Sequence, residues 1–426
     1  LPELVFILTA SFGVVWCLFV IGLAVGLQRL KPAEGASSPS VSVLVAARNE
    51  EKDIGRCLDA LSKQNYPLEL LEIIVIDDDS TDRTTEIVLS FSAQHPNIRL
   101  LKSGAAADIA VNRRGITAEP EGAVNQGRLT ADLYLAPKKR ALLTGIAFSQ
   151  SEIILATDAD CVPPHGWVRR IARQFEPEVA AVVGYSPIMQ NVECRMQNAE
   201  CGVQDDKDLE QRSFLARMFA NLTSTTAHFD AFVNGIIAAG TIGLGVPTTA
   251  AGRNFAYRRK SFLTVQGFGA SGAGASGDDD LLLQRLAIYT GKILFSTDPA
   301  TFVPAAAPSS LTAWWRMKRR HLSAGRRYSS EMIVVSTLLY SFNLGLTICF
   351  ILSLIGYLGW LNLSLLWAVK ILIDGWTIKR GAAILTEPRW FVSWLAAELI
   401  SPILFTMLVP FALVGKVHWK GRILKK

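Results

Sequence analysis

The sequence predicts an α/β protein: a doubly wound, mostly parallel sheet with helices on both faces, flanked at the N- and C-terminal ends by transmembrane helices. Three observations predict it. Apolar runs of strand length, Val41 to Ala46 and Leu71 to Ile76, alternate with helical patterns as βαβα units do. Each run stops at polar residues suited to ligand binding, as does a third run from Ile153 to Ala156 that ends in Asp158-Ala159-Asp160. Finally, 50% of the 426 residues are hydrophobic, too apolar a composition for a wholly soluble chain.

Taking the elements in order, Pro2 to Leu27 is nearly uncharged and long enough to cross ~30 Å of hydrocarbon. A signal peptide is the rival, disfavoured because the apolar region is too long and its positive charges follow it. Arg29 and Lys31 then direct the following chain to the cytoplasmic side, and residues 32–40 have the composition of a linker. The first strand is followed by Arg48-Asn49-Glu50-Glu51, opening a helix through about Ser62 with Ile54, Leu58 and Leu61 on its apolar face. The second runs into Asp77-Asp78-Asp79-Ser80-Thr81-Asp82 and a helix from about Arg83 to Ser92. Neither turn holds the glycines of a dinucleotide fingerprint or a P-loop. Ser103 to Leu135 is polar, Gly-rich and weakly periodic, which predicts an inserted loop. Pro137 to Ser149 is a predicted helix with Lys138, Lys139 and Arg140 in its first turn, where cations oppose the macrodipole, which favours an anionic ligand over the alternative of a solvated basic turn.

In Glu152 to Cys161 a buried strand stops at two carboxylates one residue apart. Ligands of open α/β sheets bind beyond the carboxyl ends of the strands, and oxygen donors there suit Mg²⁺ or Mn²⁺. The alternative is a strand ending in a solvated turn. Ala231 to Pro247 is apolar but broken by glycines, which predicts a sheet-edge or interfacial element. Gly267 to Gly277 is a flexible loop by composition and delivers Asp278-Asp279-Asp280 to a helix beginning near Leu281. Adjacent carboxylates repel, which raises the pKa of one of them toward the range useful for a base. Asp280 is expected to cap the helix instead.

From Met332 on the sequence predicts a membrane region. Its candidate spans are Met332 to about Tyr357, Leu361 to Ile373 and Phe391 to Val414. The middle one is short against the ~20 residues a span needs, with Lys370 and Asp374 interrupting it, so two or three spans are expected. The net charge of +6 gathers beside apolar segments and in the run Arg316 to Arg327, matching a membrane face and no nucleic-acid module. The six cysteines have neither disulfide-framework nor zinc spacing.

The ordered set VLVAARNEE, IIVIDDDSTDRT, PKKRALLTGI, ATDADC followed by Trp167, GRNFAYRRKSF and SGDDDLLLQRL resembles the membrane-associated family-2 glycosyltransferases of the GT-A fold, over Val41 to about Tyr328. The resemblance implies donor contacts from Ala46, Arg48, Glu50, Asp78, Lys138 and Asp158, with Asp78 on the base. It further implies metal binding by Asp160 with Asp158, and a catalytic base at Asp279 with Asp278 beside it. Asn254, Arg320 and His321 fall on the acceptor side. Arg253 stands where many members have a small residue, while Met317 and His321 depart from the family's Gln-x-x-Arg-Trp segment, which argues against polymer synthesis.

The expected domains are an N-terminal transmembrane helix (1–31), a linker (32–40), a cytoplasmic GT-A domain (41–330) and a C-terminal membrane region with a basic tail (331–426). The expected function is transfer of a sugar from a nucleotide-sugar, a UDP-sugar foremost, to an acceptor hydroxyl with inversion, using Mn²⁺ or Mg²⁺. The expected partners are a lipid-linked or saccharide acceptor and membrane lipids, with no nucleic acid, at a bacterial inner membrane. The alternatives are a metal-dependent nucleotidyl or phosphosugar transferase and an inactive membrane scaffold.

Overall fold

Buried strands make the centre of the fold. β1 (Val41–Ala47), β2 (Leu71–Asp77) and β4 (Ile153–Asp158) are apolar almost throughout, as strands covered on both faces must be. With β3 (Ile98–Lys102), β5 (Val179–Gly184), β7 (Phe255–Arg258) and β8 (Lys292–Ser296) they form a seven-stranded sheet of order β3-β2-β1-β4-β7-β5-β8. Only β7 runs antiparallel to its neighbours, and the two-residue β6 (Ile188–Met189) lies outside this sheet. The computed structural model describes residues 1–32, 35–103, 135–189, 214–269, 277–388, 390–413, 417–419 and 422–424. Most of the loop expected over Ser103 to Leu135, and of that over Gly267 to Gly277, falls outside them.

The chain divides into two compact units, one comprising Lys31–Ser186, Pro247–Ala305 and Lys416–Lys426, the other Leu1–Leu30, Pro187–Val246 and Ala306–Gly415. The first holds the sheet. Its helices include α2 (Ile54–Ser62), which buries Ile54, Leu58 and Leu61 as their spacing predicts, with Cys57 beside them, and α3 (Thr84–Gln94). α4 (Pro137–Phe148) packs on β1 and β2, α5 (Trp167–Ala172) follows β4, and α7 (Arg259–Thr264) and α8 (Asp280–Tyr289) come later.

The second unit is helical. It contains α1 (Pro2–Arg29), α6 (Phe214–Gly243), α9 (Leu311–Leu322), α10 (Ser330–Leu354), α11 (Trp360–Ile384) and α12 (Trp390–Leu413). Among the described residues α1, α10 and α11 are long and apolar enough to cross a membrane. Two expectations change here. The stretch Ala231 to Pro247 is mostly the second half of α6, because its glycines serve a helix crossing: a Cβ on Gly26 would lie 1.9 Å from the Gly240 carbonyl oxygen, and one on Gly243 would lie 2.0 Å from that of Gly26. Small residues let two backbones meet in this way.

The short span expected over Leu361 to Ile373 is a full helix of 25 residues. Its charges do not interrupt it because they are buried and matched. Lys370 Nζ lies 2.6 Å from Asp374 Oδ2, pairs with Glu398 of α12, and stands 4.8 Å from the centre of the Trp16 ring, whose Nε1 donates to Asp374 Oδ1 at 2.8 Å.

Candidate active site

Parallel register brings the polar strand ends into one row. Ala47 pairs with Asp77 and Ala46 with Asp158, so the loops after β1, β2 and β4 leave the sheet at the same level, where ligands of open α/β sheets bind. The first two loops clasp each other. Asn49 and Asp79 both have left-handed backbones, φ 52° and 57°, and Asn49 receives the Thr81 N–H on its side-chain oxygen at 2.8 Å while donating its own N–H to Ser80 Oγ at 3.0 Å. Glu50 donates its backbone N–H to Thr84 Oγ1 at 2.7 Å.

Asp78 is nearly inaccessible at 2% exposure and lies between two arginines, Arg140 Nη2 at 2.9 Å and Arg48 Nη1 at 3.6 Å. Arg140 is a member of this constellation that sequence reasoning left in a generic basic turn. The one available signal was its place two residues after Lys138, at the start of the helix that packs on β1 and β2. The first-turn cations of α4 thus answer carboxylates of the protein itself.

Lys138 joins the two acidic motifs. Its Nζ lies 2.9 Å from Asp158 Oδ1 and 3.1 Å from Asp278 Oδ2, connecting the end of β4 to the start of α8. Burial works against the lysine's charge, but Asp158, Asp278 and Asp279 outweigh it and hold Lys138 above the usual lysine range. For Asp278 burial disfavours the carboxylate and the Lys138 ammonium more than offsets it, leaving it below the usual carboxylate range.

Its neighbour goes the other way. Asp279 is pushed up to about 7, first by burial, then by repulsion from Asp280 and Asp278. Asp279, not Asp280, occupies the N-cap of α8, accepting the Asp280 N–H on Oδ1 at 2.9 Å and the Gly252 N–H on Oδ2 at 3.0 Å. Asp280 instead secures the chain before Gly252, accepting from Thr249 Oγ1 at 2.7 Å and from the Ala250 N–H at 3.1 Å. The cap falls one residue earlier than expected because these partners occupy Asp280. Each oxygen of Asp279 keeps lone-pair capacity, and the residue is partly exposed.

Asn254, expected on the acceptor side, is turned inward at 1% exposure. It accepts from Trp167 Nε1 at 2.9 Å and donates to the carbonyls of Tyr185 and Thr301, both at 2.8 Å. Its amide is fully engaged inside the protein, so it positions the turn it sits in. Arg320 and His321 lie on α9 in the helical unit, Arg320 Nη2 at 3.0 Å from His321 Nε2.

Asp158 and Asp160 are both partly exposed at the end of β4, with oxygen donors of the kind hard divalent cations take. Among the described residues no group of three His, Cys, Asp or Glu side chains is arranged to hold a metal. Asp158 and Asp160 are the residues that would hold a divalent cation here, each offering it a carboxylate.

The mixed, mostly parallel sheet with acidic strand ends is that of GT-A-type glycosyltransferases, and the comparisons narrow this further. Residues 42–116 and 137–225 match the model described as Glycosyl transferase family 2. Glycosyltransferase AglE of Haloferax volcanii is 31% identical over 132 residues, 31% of this chain and 34% of that protein. Beta-monoglucosyldiacylglycerol synthase of Synechocystis sp. is 29% identical over 137 residues, 32% of this chain and 23% of that protein. The matches thus span about a third or less of these relatives' lengths. In fold, the chain is similar to mannosyltransferase PcManGT from Pyrobaculum calidifontis, solved with GDP-Man and Mn²⁺, at a TM-score of 0.51 and 17% identity, covering 96% of this chain and 99% of that one.

Proposed function

We infer that this protein transfers a sugar from a nucleotide-sugar donor to the hydroxyl of a lipid-linked acceptor, with inversion at the anomeric carbon. The observation that carries the reading is the Lys138 bridge, which holds Asp158 of the donor-side motif and Asp278, the neighbour of Asp279, within 2.9 and 3.1 Å of one ammonium. In this reading Arg48 and Arg140 fix Asp78 at the base, and Asp158 with Asp160 holds the metal. A bound Mn²⁺ or Mg²⁺ supplies charge neutralisation on the donor diphosphate.

Asp279 takes the proton of the acceptor hydroxyl as that oxygen bonds to the anomeric carbon. The bond from that carbon to the diphosphate oxygen breaks on the opposite face, its electron pair leaves with the diphosphate, and one displacement inverts the centre. The lipid-linked acceptor is supported by the three membrane-length helices and by relatives named as glycolipid synthases. The charges of Arg29 at the end of α1 and of Lys31 just after it favour a cytoplasmic catalytic unit at a bacterial-type inner membrane.

The test uses the whole protein in detergent with a panel of sugar nucleotides, with and without Mn²⁺, then with total membrane lipid extract. Mn²⁺-dependent release of one nucleoside diphosphate and a lipid-extractable product of small defined mass support the reading. No release from any donor overturns it.

A further inference from the structure

We propose that Arg253 binds the diphosphate of the donor, a cationic contact separate from the metal carboxylates and from Lys138. The proposal rests on the glycosyltransferase reading above and adds a residue that the family resemblance left open.

The sheet puts Arg253 there. β7 is antiparallel to β4 with Phe255 opposite Ala156, so the turn that carries Arg253 just before Phe255 comes off the sheet beside the end of β4, where Asp158 follows Ala156. The turn carrying it is fastened on both sides. Gly252 donates to Asp279 Oδ2 at 3.0 Å, the Asn254 N–H to the Ala251 carbonyl at 2.8 Å, and the Gly184 N–H to the Asn254 carbonyl at 2.9 Å, while the Asn254 side chain makes its three internal bonds. Among the described residues, the turn leaves the Arg253 side chain without a hydrogen-bond partner.

Its guanidinium lies in the field of the carboxylates Asp158, Asp160 and Asp279. Yet among the described residues Arg253 has no hydrogen bond or ion pair, whereas Lys138 and Arg140 each grip a carboxylate. A guanidinium offers five donors in a planar fork matched to phosphate oxygens. An Arg held at a metal-binding strand end with its fork unused suits a phosphate ligand arriving with its cation.

The reaction gives such a contact work to do. As the bond between the anomeric carbon and the diphosphate oxygen breaks, the leaving group gains negative charge, and a preorganised cation acts most strongly on charge that develops in the transition state. Arg253 also balances the local sum, because Asp158, Asp160 and Asp279 already oppose a second anion. Arg does this without risk of deprotonation.

Calorimetric titration of the full-length protein with UDP, GDP, UMP and GMP, in EDTA and in Mn²⁺, tests the assignment. For the nucleotide that the wild type prefers, Arg253→Ala is expected to weaken diphosphate binding by about tenfold or more in both conditions, the scale of one charge-assisted pair. Monophosphate affinity should stay within about twofold, and Arg253→Lys should recover part of the loss. A merely structural role would weaken both nucleotides together. That result, or unchanged diphosphate affinity in Arg253→Ala, overturns the proposal; should the Ala variant fail to fold, unchanged diphosphate affinity in Arg253→Lys does so. The site reading survives either outcome if Asp160→Ala still abolishes the Mn²⁺ increment. A wild type that binds neither diphosphate removes both readings.

Discussion

Asp279 combines two duties that pull its charge in opposite directions. Backbone N–H groups of Asp280 and Gly252 favour the carboxylate, while burial and the carboxylates of Asp280 and Asp278 disfavour it and prevail, at about 7. A base must be deprotonated to act, so kcat/KM should rise with pH through about 7, and that limb should vanish in Asp279→Asn along with orders of magnitude of rate. Donor binding should remain, because the base acts on the acceptor proton. Linkage fixes a second sign. A carboxyl raised above its unfolded value holds its proton in the folded state after the unfolded chain has lost it, so this group lowers stability progressively from about pH 4 up to about 7. Asp279→Asn, which can still cap the helix, should therefore raise the melting temperature more at pH 8 than at pH 4. For Asp160→Ala the expected outcome is loss of the Mn²⁺ response in donor binding with the fold unchanged; wild-type response would remove Asp160 from the site. Gly252→Ala probes the geometry around Asp279, the proposed base, since its Cβ would meet Asp279 Oδ2 at 2.9 Å. Turnover should drop by about tenfold with donor affinity unchanged, the scale of a small displacement of a catalytic group.

Among the elements, legibility followed what a residue needs for company. The strands before Asp78 and Asp158 were readable because doubly covered strands are apolar without interruption, and their polar ends stand out against that background. The helix carrying Lys138 was readable, though the partners of its cations were not: Asp78 and Asp278 are distant in sequence, and only the fold brings them near. Arg140 and Asn254 show the same limit from two sides, one a site member hidden in a basic turn, the other a motif residue turned inward. Lys370 and Asp374 looked like breaks in an apolar run because Trp16 and Glu398, which match them, lie on other helices. Glycines misled similarly, since breaks in Ala231 to Pro247 are crossing contacts in α6. That crossing gives its own test. Gly26→Leu places a side chain where the Gly240 carbonyl stands 1.9 Å from a Cβ, so α1 and α6 must separate. The detergent-solubilised protein should lose melting temperature by several degrees, while Leu18→Ala, on an exposed face of α1, should leave it nearly unchanged.

At the scale of the whole molecule, the sheet unit supplies acids, cations and a row of strand ends, and the helical unit supplies apolar surface and a matched set of buried charges. If the proposed sugar transfer holds, a protein so built should make a product that partitions with lipid and carries one sugar or a few. A water-soluble chain of high mass from the same incubation would contradict this. The matched charges of the helical unit also bear on how the protein is made. Lys370 emerges from the ribosome long after Trp16 and 28 residues before Glu398. Until Glu398 arrives, its ammonium has one of its two carboxylates, and α11 is a poorly settled guest in any apolar environment. Synthesis through Glu398 is therefore what completes the match of this lysine, and a nascent protein stalled short of Glu398 holds it half paired. Truncation before Glu398 should shorten the half-life in cells far more than truncation after Leu413. A Glu398→Gln chain should fall between, because the amide oxygen still accepts from Lys370 while the ammonium's charge stays half matched.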